Sequence, residues 1–498
     1  MNALETLLWR IEADPRFRST LMTVEILDCV PQWDRMHAAH EWGSRMVPRF
    51  RQRVIEPAMG LGSPVWATDP NFDLAYHLRR VCLPPPGTMQ QVLELAQTMA
   101  MAPFDRARPP WEAMLVEGLA GGQAAYLLKM HHSVTDGIGG IQLLARMHSR
   151  SRQRDPHKPQ PAPPPADPST PVTVLGESMQ RRAKAGMGAL TSWSSAASAW
   201  SRRLAAQPRQ VLAEAAALGE SVARQLRAPA PPSPLLAGRS LSYRYDAHEV
   251  PLADFKAAAK AAGGSINDAF LAAVTGAFAR YHRACRAKVD ELAMSMPINL
   301  RKADEPMGGN RIGAARLAGP MDEPSAVRRM QLLHEQVEQA RADTAFDLTG
   351  AVAPMLALLP AATLAQVFSR MAQGNDVQTS NVPGIAEPVY FAGAQVTHMF
   401  PFGPLPGCAA MVTLVSHNGI CCIGVNVDPA AVTRQDLFAQ CLRAASMRCW
   451  RWPVPCRPVP LPPAVGGPRG TQWLPIPPPA ESAPCREYLH HDDPIAPA

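Results

Sequence analysis

One stretch constrains this chain more than any other: His131-His132-Ser133-Val134-Thr135-Asp136-Gly137, set between an apolar run and a second glycine-rich segment. Upstream, Ala124 to Met130 reads as a buried strand bounded by Gly121-Gly122. Downstream, Ile141, Leu143, Leu144 and Met147 recur at helical spacing, so a helix runs from Ile138 to His148. The two histidines therefore sit where a strand ends and a helix begins, a place from which side chains leave the core and reach a cleft. An imidazole there can accept a hydroxyl proton near neutral pH. Asp136, four residues past His132, is close enough in a turn to fix the loop or bias the ring. Gly137 permits a backbone approach that a Cβ would block. A satisfied polar turn is the plain alternative for any His pair. The whole pattern H-H-x-x-x-D-G, however, arises by chance on the order of once in a thousand chains of this length. Asp136 could join the pair in a metal site, but adjacent residues of an extended strand point to opposite faces, so no metal site is assigned.

Further blocks stand around this motif. Before it come Pro48-Arg49-Phe50-Arg51-Gln52-Arg53, Pro64-Val65-Trp66, Asp69-Pro70-Asn71-Phe72-Asp73-Leu74 and Asp105-Arg106-Ala107-Arg108-Pro109-Pro110-Trp111-Glu112. After it come Ser265-Ile266-Asn267-Asp268-Ala269, Met296-Pro297-Ile298-Asn299-Leu300-Arg301 with Gly309-Asn310, and Ser380-Asn381-Val382-Pro383-Gly384. With these in order to about residue 445, the chain resembles the bacterial wax ester synthase/diacylglycerol acyltransferases. These belong to the CoA-dependent acyltransferase superfamily, which also includes the condensation domains of peptide synthetases. Pro110 stands where that family usually has Leu in its P-L-W-E block. The resemblance implies an α/β fold, a mixed α+β sandwich of two similar lobes with the active-site tunnel between them.

Length and periodicity fit two domains. At 498 residues the chain exceeds one ordinary core, and 47% hydrophobic against 18% charged residues suits a globular protein. The expected organisation is a first lobe over 1–150, a Pro-rich linker with crossover helices over 151–237, a second lobe over 238–448, and a Pro-rich disordered tail over 449–498. In the first lobe Leu4–Ile11 and Gln91–Met101 read as helices and Met22–Leu27 as a strand. In the second, Ser240–Tyr245 and Leu292–Ile298 read as strands, and Leu252–Ala262 and Asn267–Arg283 as helices. Val412–Ser416 and Ile420–Val427 form a hairpin across Asn418-Gly419, a strong turn pair.

The net charge of +7 comes without a Lys/Arg block of nucleic-acid type, so no nucleic-acid partner is expected. Ten cysteines lack framework spacing and Met1 to Ile11 has no leader character, which points to reduced thiols and a cytoplasmic protein. Thr349–Phe368 is uncharged, but Pro354 and Pro360 interrupt it. Two short buried helices fit it better than a membrane span, and an apolar surface touching a bilayer stays open. Trp193 and Trp200, seven apart in an Arg-rich helical stretch, either pack between the domains or meet a headgroup boundary.

Acyl transfer to a hydroxyl requires a base, oxyanion donors and a channel for two apolar substrates. The resemblance implies His132 as the base, because only His132 has Asp136 at the H-x-x-x-D spacing; His131 packs or orients its neighbour. Asp136 is expected to hold the loop by pairing with a basic residue, with Arg301 the candidate. Ser380 and Asn381, beside Thr379, are candidate oxyanion donors, with a simple turn around Pro383 as the alternative. Asn267 and Asp268 are expected to shape the site, since Ser265 and Asp268 stand as a capping box. The implied reaction moves a fatty acyl group from acyl-CoA, a co-substrate with no further cofactor, to diacylglycerol or a long-chain alcohol. The implied location is peripheral, at the inner membrane face or on lipid droplets. A condensation-type enzyme using a carrier-bound thioester, or an inactive lipid-binding member, remain as alternatives.

Overall fold

The structure is a computed structural model that describes residues 1–60, 62–135, 137–155, 157–180, 228–299, 312–343, 363 and 374–450; structural statements refer to these. Helix starts follow local capping chemistry. Asn2 caps α1 (Ala3–Ile11), accepting the Glu5 N–H while the Glu5 carboxylate accepts the Asn2 N–H. Then come β1 (Thr20–Leu27), α2 (Trp33–Met46), the antiparallel pair β2 (Gln52–Ile55) and β3 (Val65–Thr68), the single turn α3 (Leu74–His77) and β4 (Leu78–Cys82). Thr88 and Gln91 cap α4 (Met89–Met101) in the same reciprocal way. After it, β5 (Trp111–Glu117) and β6 (Ala124–His131) pair antiparallel, and α5 (Gly137–Met147) follows.

The second half holds β7 (Arg244–Pro251), α6 (Leu252–Ala262), α7 (Ile266–Ala284), β8 (Glu291–Asn299), β9 (Ile312–Pro320) and α8 (Ala326–Asp343). Five strands follow: β10 (Val377–Val382), β11 (Tyr390–Phe391), β12 (Ala394–Phe402), β13 (Ala410–His417) and β14 (Ile420–Val427). The last described helix is α9 (Gln435–Trp450). The β13–β14 hairpin turns on Asn418 at φ 43° and Gly419 at φ 80°, the left-handed pair that its sequence demands.

Two six-stranded mixed sheets result, ordered β11-β12-β1-β6-β5-β4 and β7-β14-β13-β10-β8-β9. This is the two-lobe α/β sandwich expected from the sequence. All eight residues of β6 are buried because both faces of the first sheet are covered. Met36 of α2 and Leu143, Leu144 and Met147 of α5 cover one face; Val92, Leu93, Ala96 and Met99 of α4 cover the other. In the second lobe, Phe270, Val274 and Phe278 of α7 pack with Phe438 and Leu442 of α9 over the sheet.

The lobes are tied by β12, which arises late in the chain yet pairs antiparallel with β1, Met22 opposite Phe402 and Ile26 opposite His398. Periodicity does not indicate this crossover. A Cβ on Gly424 of β14 would lie 1.7 Å from the Pro401 carbonyl oxygen of β12, so only glycine lets these strands approach. Asn426 donates from Nδ2 to the Gly403 carbonyl at 2.9 Å along the same seam.

Two expectations need correction. The strand read over Ser240–Tyr245 begins only at Arg244 and continues to Pro251. Asp428 explains this, because it accepts the Ser240 N–H at 2.5 Å and the Ser240 hydroxyl at 2.7 Å, holding that segment as a loop. The extended linker read up to Thr173 turns helical at residue 171, where Pro171 suits a first helical position. Among the described residues, no helix is long and apolar enough to cross a membrane. The Thr349–Phe368 stretch apart from Thr363, Trp193, Trp200 and the tail beyond 450 lie outside the described residues.

Candidate active site

His131 is the last residue of β6 and His132 opens the turn, so the chain leaves the sheet between them. Three backbone bonds fix this turn: His131 N–H to the Pro110 carbonyl at 3.0 Å, His132 N–H to the Ser19 carbonyl at 2.7 Å, and Val134 N–H to the His131 carbonyl at 2.9 Å. His131 is 1% exposed and points to the α4 side of the sheet, whereas His132 is half-buried. The Ser133 N–H donates to His131 Nδ1 at 3.0 Å and the Ser133 hydroxyl lies 2.7 Å from the same nitrogen. That assigns the ring proton to Nε2, which lies 2.5 Å from Glu12 Oε2. Trp9 and Phe104 close on the imidazole edge-to-face, at centroid distances of 5.2 and 6.0 Å. Burial pushes the Glu12 carboxyl up, but the adjacent His131 Nε2, the Ser19 N–H and the Arg106 charge outweigh it and hold the group below its ordinary 4.5.

Lys129, two residues before His131 on the same face, is fully buried. Its Nζ donates to Glu112 Oε1 at 3.0 Å and stands 4.1 Å from the Phe104 ring centroid. Burial pushes its ammonium down from the usual 10.5, against the opposing pull of Glu112. Neither Glu12 nor Lys129 was singled out from the sequence. Glu12 ends an ordinary capped helix, and its partner lies far along the chain.

Gly137 starts α5 against the second lobe, where a Cβ would lie 3.1 Å from Val382 Cγ2 of β10. The H-H-x-x-x-D-G turn therefore abuts the S-N-V-P-G strand. Ser380 and Asn381 are half-buried on that strand, opposite Thr413 and Leu414 of β13. Gly384 has a packing reason of its own, since its Cβ would fall 1.9 Å from the Ser416 carbonyl oxygen. Asp268 completes the capping box with Ser265 and lies 3.0 Å from His334 Nδ1, which binds this carboxylate to helix and neighbour. Asn267 keeps a buried Nδ2 without a hydrogen-bond partner among the described residues. Asp136 and Arg301 both lie outside the described residues, and with them their expected pairing.

A cavity of about 680 Å³ opens between segments of both lobes. Arg16 and Phe17 on the link from Glu12 to Ser19 face Ser233, Arg239, Tyr243 and Asp376. Burial pushes Asp376 up to about 6, despite the Ser233 N–H that it accepts at 2.8 Å. Burial also pushes the Cys421 thiol up to about 11 and the Cys408 and Cys422 thiols up to about 12. These three are protonated and poor nucleophiles at neutral pH.

The same architecture occurs in solved structures. The wax ester synthase/diacylglycerol acyltransferase from Marinobacter aquaeolei VT8 superposes with a TM-score of 0.56 at 21% identity, covering 87% of this chain and 95% of that one. The starter condensation domain of rhizomide synthetase superposes at 0.55 and 14% identity, covering 90% and 94%. These likenesses define the fold. In sequence, residues 1–270 match the wax ester synthase/diacylglycerol acyltransferase catalytic domain and residues 308–447 the C-terminal domain of the same family. A Mycobacterium tuberculosis protein named "Putative diacyglycerol O-acyltransferase" is 40% identical over 444 residues, 89% of this chain and 90% of its own length. The chain is an acyltransferase. It belongs to the wax ester synthase/diacylglycerol acyltransferase family.

Proposed function

We propose that the chain transfers a fatty acyl group from acyl-CoA to the free hydroxyl of diacylglycerol, with long-chain alcohols as a second acceptor class and His132 as general base. The observation that supports this reading is the close approach of Gly137 to Val382, which sets the end of the H-H-x-x-x-D-G turn against the strand that carries Ser380 and Asn381. His132 removes the hydroxyl proton as the acceptor oxygen attacks the thioester carbonyl. Ser380 and Asn381 supply donors to the developing oxyanion. The C–S bond then breaks, and the proton on His132 passes to the CoA thiolate, giving ester and free CoA. Asn267, Asp268 and Arg301 shape the site around these groups. The raised thiols of Cys408, Cys421 and Cys422 favour this direct transfer over an acyl-cysteine intermediate at those positions.

The test supplies radiolabelled palmitoyl-CoA with dioleoylglycerol or with hexadecanol and separates the products by chromatography. Labelled triacylglycerol is the expected main product, with wax ester second. Transfer to neither acceptor, with turnover of a carrier-bound thioester instead, would replace this reading with the condensation type.

Nearly insoluble substrates require contact with a lipid surface, so the proposed location is cytoplasmic and peripheral, at the inner membrane face or on lipid droplets. Attachment by apolar burial should survive moderate salt, whereas attachment through arginines alone weakens steeply with it. Flotation with neutral and anionic vesicles at low and high salt measures this. A protein that never floats, yet turns over dispersed substrate, would exclude the peripheral location.

A further inference from the structure

No motif of the family resemblance includes Glu12, yet its carboxylate is joined to both backbone segments that hold His132. On one side it lies 2.5 Å from Nε2 of His131, the residue before His132. On the other it accepts the Ser19 N–H at 3.4 Å, and the Ser19 carbonyl accepts the His132 N–H at 2.7 Å. We propose that Glu12 is a positioning residue for acyl transfer, acting through His131 and Ser19 to hold the His132 turn in its reactive geometry. This rests on the reading of His132 as the base.

The surroundings of Glu12 are built for an ionised carboxylate. Its side chain is only 10% exposed, so an ionised form there requires compensation. His131 sets its Nε2 at 2.5 Å from the carboxylate, while its Nδ1 accepts the Ser133 N–H. Arg106 supplies charge from the other side; it donates from Nη2 to the Trp9 carbonyl at 3.0 Å and stacks on the Trp9 ring at 4.7 Å. Trp9 in turn packs edge-on to His131. The imidazole, on the residue from which the turn departs, is thus held by Glu12, Ser133 and Trp9. A glutamine at position 12 keeps the shape and an oxygen where Oε2 meets both His131 and Ser19, but loses the charge.

The experiment compares E12Q, E12D and H132A in kcat, in KM for palmitoyl-CoA and acceptor, and in Tm. Misplacement of a reacting group by about 1 Å costs on the order of 10²-fold, so E12Q should lower kcat by about 10²-fold while both KM values stay within about twofold. E12D, which retains the charge, should recover about tenfold of that loss. Combining E12Q with H131N should be no slower than the slower single variant, because both act on one turn. Wild-type kcat in E12Q beside an inactive H132A would overturn the role of Glu12 alone. So would kcat, KM and Tm falling together with no recovery in E12D, the signature of a merely structural residue. If E12Q does not accumulate as folded protein, H131N decides: lowered kcat at unchanged KM and Tm supports the proposal, and wild-type kcat overturns it. An active H132A would instead remove the general-base reading on which the proposal rests.

Discussion

Replacing His132 by alanine is expected to lower kcat by about 10²–10⁴-fold, the usual contribution of a positioned general base, with Tm unchanged. The half-buried position of His132 in a turn explains the second part, since little core packing is lost. His131→Ala should behave differently. It empties a site enclosed by Trp9 and Phe104 and leaves the Glu12 carboxylate without its imidazole partner. Its Tm should therefore fall, and its kcat should fall less than that of H132A. Single-turnover kinetics with palmitoyl-CoA and calorimetric melts of both variants measure the contrast. A nearly active H132A beside an inactive H131A would assign the base to the wrong histidine.

The residues that make this site differ in how far the sequence alone could reveal them. His131, His132 and Gly137 are legible because a strand, a turn and a helix follow one another locally, each with its own period. The structure places those boundaries at His131 and Gly137. The Asn418-Gly419 hairpin and the Ser265 cap are legible for the same reason, since their chemistry lies within four residues. What local patterns miss is pairing at long range. Strand β12 lies in the second half of the chain yet pairs with β1, and no window around residues 394–402 contains that partner. Ser240–Tyr243 alternates like a strand and is held as a loop by Asp428, a residue no local window includes. Glu12, Lys129 and Glu25 are charged, and charge in a sequence normally marks a wet surface. Their burial depends on partners supplied by other elements.

Glu25 carries the largest expected effect on stability. It lies in the middle of β1, fully buried, with Oε2 2.9 Å from Nε2 of His148, which follows α5 and is 7% exposed. His148 Nδ1 lies 2.5 Å from the Leu144 carbonyl oxygen, so this ring has two acceptors and is suited to carry two protons. Burial alone would push His148 down, but the Glu25 charge and hydrogen bond outweigh it and raise the imidazole above its ordinary 6.5. Nearby, burial pushes His40 down to about 4, so that ring is neutral and its Nε2 accepts the Tyr126 hydroxyl at 2.8 Å. Breaking a buried pair by removing one partner costs about 3–5 kcal/mol, and Glu25→Gln should fall in this range near about pH 6. The pH dependence should also change sign. In the wild type the folded state holds the His148 proton more tightly than the unfolded chain. This contribution is fully present below pH 6.5 and is lost as pH rises through the raised folded value. In E25Q the same ring is buried without its anion, so burial depresses its folded value and stability is lost as pH falls below about 6.5. Urea unfolding of both proteins between about pH 5.5 and about pH 8 reads the two slopes. Parallel slopes would show that Glu25 and His148 are not coupled as an ion pair, and that the lost stability of E25Q is a packing effect.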